Sequence, residues 1–183
     1  LLLAKKGKIG DVISVDATCT SLADGSNDDW NSITAWGPTA LLPVFQLLGT
    51  DYKDKNINSL LLDSAENFDL FTKIDFTYLN AVASIKVGKG VKSEGELIIS
   101  GTKGYIYVPA PWWKTDYFEI RFENQNENKK YFYQLDGEGI RYELVAFIKS
   151  IELNKTGSYI DINISKEISS VMEDFDNNKF NNL

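Results

Sequence analysis

The chain contains no histidine among its 183 residues, and only one cysteine and one methionine. Without histidine, the usual zinc sites and the Ser/His or Cys/His nucleophile arrangements lack a ligand or a base. A single cysteine excludes an internal disulfide framework. Cys19 lies in an alternating stretch with Ile13, Val15 and Ala17 on its own side, so it reads as a small buried hydrophobe and not as a nucleophile. Long apolar runs are missing too: the longest, Ala40 to Leu48, contains Gln46 and is far too short to span a bilayer. Bases are scarce beside acids, 19 against 26, for a net charge of -7. Nucleic-acid binding rests on Lys and Arg neutralising phosphates, so this balance argues against a polyanionic partner and is accounted for by solubility. No charged-then-apolar signal segment opens the chain, which with the lone cysteine implies a cytoplasmic setting. The first residues are Leu1-Leu2-Leu3 instead of Met, which implies a piece of something longer.

What is present is ordinary for a soluble protein, 43% apolar and 25% charged. A chain of this length buries about 70% of the surface that its unfolded form exposes, which suits one domain over residues 1–183. The stretch Asp11 to Leu22 alternates as a half-buried strand. A polar loop follows, Ala23 to Asn31, with Trp30 near its end. Ala35 to Gly49 reads as a helix entered through the Gly37-Pro38 turn and C-capped by Gly49, with Pro43 predicting a kink or a late start. Period-two patterning then predicts a long strand with Phe68, Leu70, Thr72, Ile74, Phe76 and Tyr78 on its core face. Further strands are predicted at Asn80–Gly88, Gly95–Ser100, Gly104–Val108, Tyr117–Phe122 and Lys130–Leu135. Short hops between them favour antiparallel pairing.

After Gly139 the period turns helical, with Ile140, Leu144, Phe147, Ile148 and Ile151 as one stripe. A last helix is predicted from an N-cap at Ser165, burying Ile168, Val171, Met172 and Phe175, before a fraying Asp/Asn-rich tail. Segregated helices and strands imply an α+β fold, one large, predominantly antiparallel sheet with helices packed on one face.

Several segments carry a family likeness. AWGPTALLPVFQLLG, from Ala35 to Gly49, resembles the D-x-G-x-H-x-x-D helix of the Gfo/Idh/MocA oxidoreductases, which ends in an apolar run and Leu-Gly. Gly7-Lys8-Ile9-Gly10 resembles the family's lead-in to its carboxy-terminal domain. Ile99 to Ile106 is similar to its I-x-G-T-x-G hairpin, Trp112-Trp113 stand where it often carries an aromatic, and Tyr133 to Glu143 is similar to the end of its sheet. The resemblance implies the family's C-terminal fold, of the dihydrodipicolinate-reductase or glyceraldehyde-3-phosphate-dehydrogenase C-terminal type. It also implies a preceding Rossmann half that binds NAD or NADP, a sugar-like or cyclitol substrate, and homo-oligomerisation through the open sheet face. No Gly-rich strand-turn-helix signature occurs in this chain, so it is expected to bind no dinucleotide itself.

Aligned on Gly37 and Leu48-Gly49, the family's two aspartates fall on Ala35 and Leu42 and its catalytic histidine on Thr39. A threonine hydroxyl is no general base, so no catalytic residue is expected here. Substrate-binding candidates are Trp36, Trp112 and Trp113, whose indole faces suit sugar C–H faces, with Thr39 and Lys114 as polar contacts. Trp112 and Trp113, adjacent on an extended segment, are expected to point to opposite faces. Tyr105, Tyr107, Tyr117, Tyr131 and Tyr133 are candidates for the exposed aromatic surface of the open sheet face. A non-catalytic carbohydrate-recognition or protein-interaction domain is the alternative reading.

Overall fold

A computed structural model describes residues 1–22, 31–63, 68–133, 139–153 and 160–182. Nine strands form one sheet: β1 (Val12–Ser21), β2 (Asp54–Asp63), β3 (Phe68–Thr77), β4 (Val82–Lys89), β5 (Leu97–Gly101), β6 (Tyr105–Val108), β7 (Tyr117–Arg121), β8 (Lys129–Phe132) and β9 (Asn181–Asn182). Their spatial order is β8-β7-β6-β5-β1-β4-β3-β2-β9. Every pairing is antiparallel except β1 with β4 and β2 with β9. The α-helices among the described residues are α1 (Leu2–Lys5), α2 (Ser32–Leu48), α3 (Ile140–Glu152) and α4 (Ile162–Asp176). The fold is the α+β sheet that the pattern predicts.

Register explains the two faces. Phe76, Ala83, Val15, Ile99, Ile106 and Ile120 stand opposite one another across six strands and are all buried. Helix α2 covers this face, bringing Ile33, Leu41, Val44 and Phe45, and α4 packs onto α2 through Val171 and Phe175. On the reverse face the corresponding row is Asp75, Ser84, Asp16, Ile98, Tyr107, Glu119 and Lys130. No described helix lies over it.

Helix α2 starts earlier than the Gly-Pro reading predicts. Asn31 is the N-cap, its carboxamide oxygen accepting the Thr34 N–H at 2.9 Å, and both Pro38 and Pro43 lie inside the helix. The carbonyls of Thr34 and Thr39, four residues before each proline, therefore receive no amide from it. Gly49 closes the helix as expected, at φ 80°, donating its N–H to the Phe45 carbonyl.

The end of β3 also departs from simple alternation. Leu60 pairs with Phe71 but Leu61 with Asp69, so Leu70 is an extra residue. That bulge turns Asp69 inward, to 0% exposure, and leaves Leu70 half-buried. Asp161, not Ser165, caps α4, its carboxylate accepting the Asn163 N–H at 2.8 Å. The tail continues past α4: Phe180 stacks on Phe175 at 4.8 Å and Asn181–Asn182 join β2.

The glycines of Gly101-Thr102-Lys103-Gly104 have a steric reason. A Cβ on Gly101 would lie 2.3 Å from the Ile9 carbonyl, and one on Gly104 would lie 2.6 Å from that of Arg121. Their absence lets the lead-in segment and β7 press against the hairpin backbone, where Lys103 N–H donates to Ile9 O at 2.9 Å.

The largest departure is α3. Its predicted apolar stripe exists but is not buried: Ile140, Leu144, Phe147, Ile148 and Ile151 are 52–63% exposed, and no residue of the helix is buried. Covering the part of each that is still exposed would contribute about 1–2 kcal/mol, the larger part of the full-burial range.

Candidate functional site

Three of the predicted ligand contacts come together at the C-terminal end of β1. The Trp36 indole, on α2, lies 4.9 Å from that of Trp113, and Trp113 lies 6.0 Å from Trp112 at 88°. Trp112 and Trp113 are not split between faces. Residues 111–114 form a turn, closed by Lys114 N–H to Pro111 O at 2.8 Å, and both indoles are half-buried in one cluster. The turn is held to the segment before β5 and to β1 by Trp112, whose backbone N–H donates to Gly95 O at 3.0 Å and whose indole N–H donates to Thr18 O at 3.1 Å. Gly95 presents a bare backbone to the Trp113 ring, 3.3 Å from where a Cβ would sit.

Cys19 lies behind this cluster at 0% exposure, and burial pushes its thiol up to about 12. It is an inert hydrophobe, as its position in the alternation predicts.

The indole N–H groups are divided in their duties. Trp36 donates to Ser21 Oγ at 3.2 Å and Trp112 to Thr18 O, so both are already committed. Trp113 makes no N–H hydrogen bond among the described residues, which singles it out as the indole able to give both a ring face and a donor to a ligand.

Ala35, Thr39 and Leu42 follow at i, i+4 and i+7 and form one half-buried stripe on α2, with Trp36 a helical neighbour of Thr39. The stripe offers a methyl, a hydroxyl and an isobutyl group, none of which titrates. Lys114 is exposed in the turn beside Trp113. Trp30 lies outside the described residues. Ser21 and Gly95 support the cluster, and nothing in the sequence marks either of them. Glycine before a strand is too common a signal to have found Gly95.

The helix carrying Trp36 is fixed by a buried polar network. Asp69 Oδ1 accepts the Ile33 N–H at 3.2 Å, and its other oxygen accepts the Thr72 hydroxyl, which pairs with Ser59 at 2.8 Å. Ser32 Oγ lies 2.9 Å from the Asp69 and Leu70 carbonyls and accepts the Lys89 N–H at 2.8 Å. Burial holds the Asp69 carboxyl above the usual carboxylate range, although the hydrogen bonds from Thr72 and Ile33 pull the other way. The α2 N-terminus is thus locked to β3 and β4.

On the open face, Arg121 is not free to hold an anion. It donates to Glu119 at 2.7 Å and lies over the Tyr107 ring at 4.5 Å, while Lys130 stands 3.5 Å from the Tyr117 ring centre and 3.6 Å from Glu119. Arg121 and Lys130 thereby hold the Glu119 carboxyl below its ordinary range. Tyr105, Tyr107 and Tyr117 face this side. Tyr131 does not: it stacks on Phe118 at 4.9 Å against the covered face, because β8 pairs it with Phe118 and not with Tyr117. Tyr133 lies beyond β8, 6.5 Å from Tyr142.

No family model matches the sequence, and no curated protein matches it. Solved structures do match in fold. The 3-ketoreductase KijD10 from Actinomadura kijaniata, in complex with NADP and TDP-benzene, aligns at TM-score 0.75 and 11% identity over 91% of this chain and 54% of that one. The UDP-N-acetylglucosamine 3-dehydrogenase GnnA from Acidithiobacillus ferrooxidans aligns at 0.73 and 12% over 92% and 54%. An oxidoreductase from Agrobacterium radiobacter, in complex with NAD+, L-tartaric acid and magnesium, aligns at 0.70 and 16% over 91% and 54%. This chain spans about half the length of those chains and shares their fold over that half.

Proposed function

We propose that this chain is the substrate-binding and oligomerising domain of a longer NAD(P)-dependent oxidoreductase acting on a sugar, sugar derivative or cyclitol, and that it is inactive by itself. The observation that carries the reading is the three-indole cluster beside the Ala35/Thr39/Leu42 stripe, on a fold shared with a ketoreductase and a sugar-nucleotide dehydrogenase. Indole faces bury sugar C–H faces, Thr39 supplies a hydroxyl that can hold a substrate hydroxyl, and Lys114 can meet an anionic substituent. The acceptor for the hydroxyl proton comes from outside these residues, since Thr39 cannot serve.

On this reading the dinucleotide is held outside these residues, and the helix starts described here support it. A pyrophosphate seats on free amides at a helix start. At α2 those amides go to Asn31 and Asp69, and at α4 to Asp161, all of them oxygen acceptors and two of them acids. Helix α3 starts without a side-chain cap but carries Glu143 in its first turn. NAD or NADP is, on this reading, held by the other half of the proposed protein.

Two copies associate, on this reading, through the open face around Tyr105, Tyr107, Tyr117 and the Arg121–Glu119–Lys130 charges. Sedimentation of the longer protein as a monomer at tens of micromolar, on the order of ordinary weak association, removes that part of the proposal. The site is tested by calorimetric titration of UDP-N-acetylglucosamine into the longer protein. Trp113→Ala is expected to weaken binding by roughly 5- to 30-fold, equivalent to about 1–2 kcal/mol. Unchanged affinity would remove Trp113 from the site. A non-catalytic carbohydrate-recognition or protein-interaction domain is the alternative, favoured if the longer protein has no nucleotide-binding half.

A further inference from the structure

The feature that neither the fold nor the indole cluster explains is α3. Ile140, Leu144, Phe147, Ile148 and Ile151 fall at i, i+4, i+7, i+8 and i+11, a stripe about 100° wide. Arg141, Lys149 and Glu152 lie off it. Every one of the five is more than half exposed, and Tyr142, Val145 and Leu153 add further exposed apolar surface. Helix α4, of similar length and patterning, buries Val171 and Phe175 completely against the rest of the domain. The two helices obey the same sequence rule, yet only one of them has its counterpart within the described residues.

A contiguous apolar stripe of this kind marks a surface that another body covers. A second copy of this chain is a poor occupant. A standard specific association buries about 800 Å² per partner from about 20 to 30 residues a side, and this stripe offers five on one 13-residue helix. Contacts between domains of one polypeptide hold with less, about 600–1,500 Å² in total, since the tether supplies a high effective concentration. The solved structures that share this fold are nearly twice as long as the matched part, and KijD10 holds NADP.

We propose that the α3 stripe is the docking surface for the nucleotide-binding half of the same polypeptide. This rests on the proposed function, since it requires that half to exist. The stripe then sets how the indole cluster faces the cofactor, and α3 is a positioning element that does not touch substrate.

The test compares thiol labelling of an Ile148→Cys variant by a maleimide in the 183-residue chain and in the longer protein. Cys19, at 0% exposure, serves as the unreactive internal control. In the 183-residue chain position 148 is expected to label rapidly at every protein concentration. In the longer protein it is expected to label at least about tenfold more slowly, because reaction then waits on opening of the domain contact. Phe147→Asp, as a second variant, is expected to leave the melting temperature of the short chain unchanged, lower that of the longer protein and restore rapid labelling at position 148.

Equal labelling rates in a longer protein that binds NADP would overturn the docking proposal and leave the proposed function standing. A longer protein without a nucleotide-binding half would overturn both. Protection in the short chain that grows with concentration would assign the stripe to a second copy, and would also overturn the proposal.

Discussion

Phe76→Ala is expected to destabilise this domain by about 3–5 kcal/mol, the range for removing a buried aromatic and leaving a cavity. Phe76 is 1% exposed on β3, and its ring lies 5.4 Å from Phe45 of α2 and 5.1 Å from Tyr52, edge-on to both. Tyr52 in turn donates its hydroxyl to Glu167 of α4 at 2.6 Å, and Tyr78 donates to the Gly49 carbonyl at 2.9 Å. One ring thus joins the sheet to both covering helices. Against a total stability of about 5–15 kcal/mol the loss is large, and at about 2–4 °C per kcal/mol it is readily seen in a thermal melt. Phe132, 74% exposed, is the control: Phe132→Ala is expected to stay within about 0.5 kcal/mol. Equal effects at the two positions would mean that the assignment of the covered face is wrong.

Asp69→Ala is expected to cost about 1–3 kcal/mol, because it strands the buried Ile33 N–H and leaves the Thr72 hydroxyl with Ser59 alone. Asp69→Asn keeps an acceptor for Ile33 and is expected to be far milder. The carboxyl also has a pH signature. Burial raises its folded-state value above the unfolded one, so its contribution is fully present below the unfolded carboxylate pKa of about 3.9 and is lost as pH rises through the folded value. Asp69→Asn should therefore flatten that part of the stability-pH curve, read by denaturant melts at a series of pH values. A variant as pH-dependent as the parent would show that another carboxyl is responsible.

Much of the architecture was legible because it is local. Alternation placed β1 and β4 to β7 within a residue or two, Gly49 marked the end of α2, and Ile168, Val171, Met172 and Phe175 marked the inner side of α4. What escaped depends on non-local facts. The inward turn of Asp69 comes from a bulge set by how β2 pairs with β3, which a single strand's pattern does not contain. The parallel β1–β4 pair joins residues some seventy apart, with α2 and two strands between them. Trp112 and Trp113 defeated the two-face rule because they sit in a turn, where alternation has no meaning. The face of Tyr131 is not legible in sequence, because β8 is too short to display its phase. The α3 stripe is legible as amphipathic, but a stripe does not say that its cover belongs to these residues. The indole cluster was legible as a set of residue types, and the commitment of two of its three N–H groups was not.

The proposed function has this domain lend a wall to a sugar site and carry neither a cradle for the cofactor nor a base of its own. It is tested most directly by calorimetric titration of NADP into the 183-residue chain and, in parallel, into the longer protein. The account predicts no heat of binding from the short chain and saturable binding by the longer one. Saturable NADP binding by the 183-residue chain alone would contradict it.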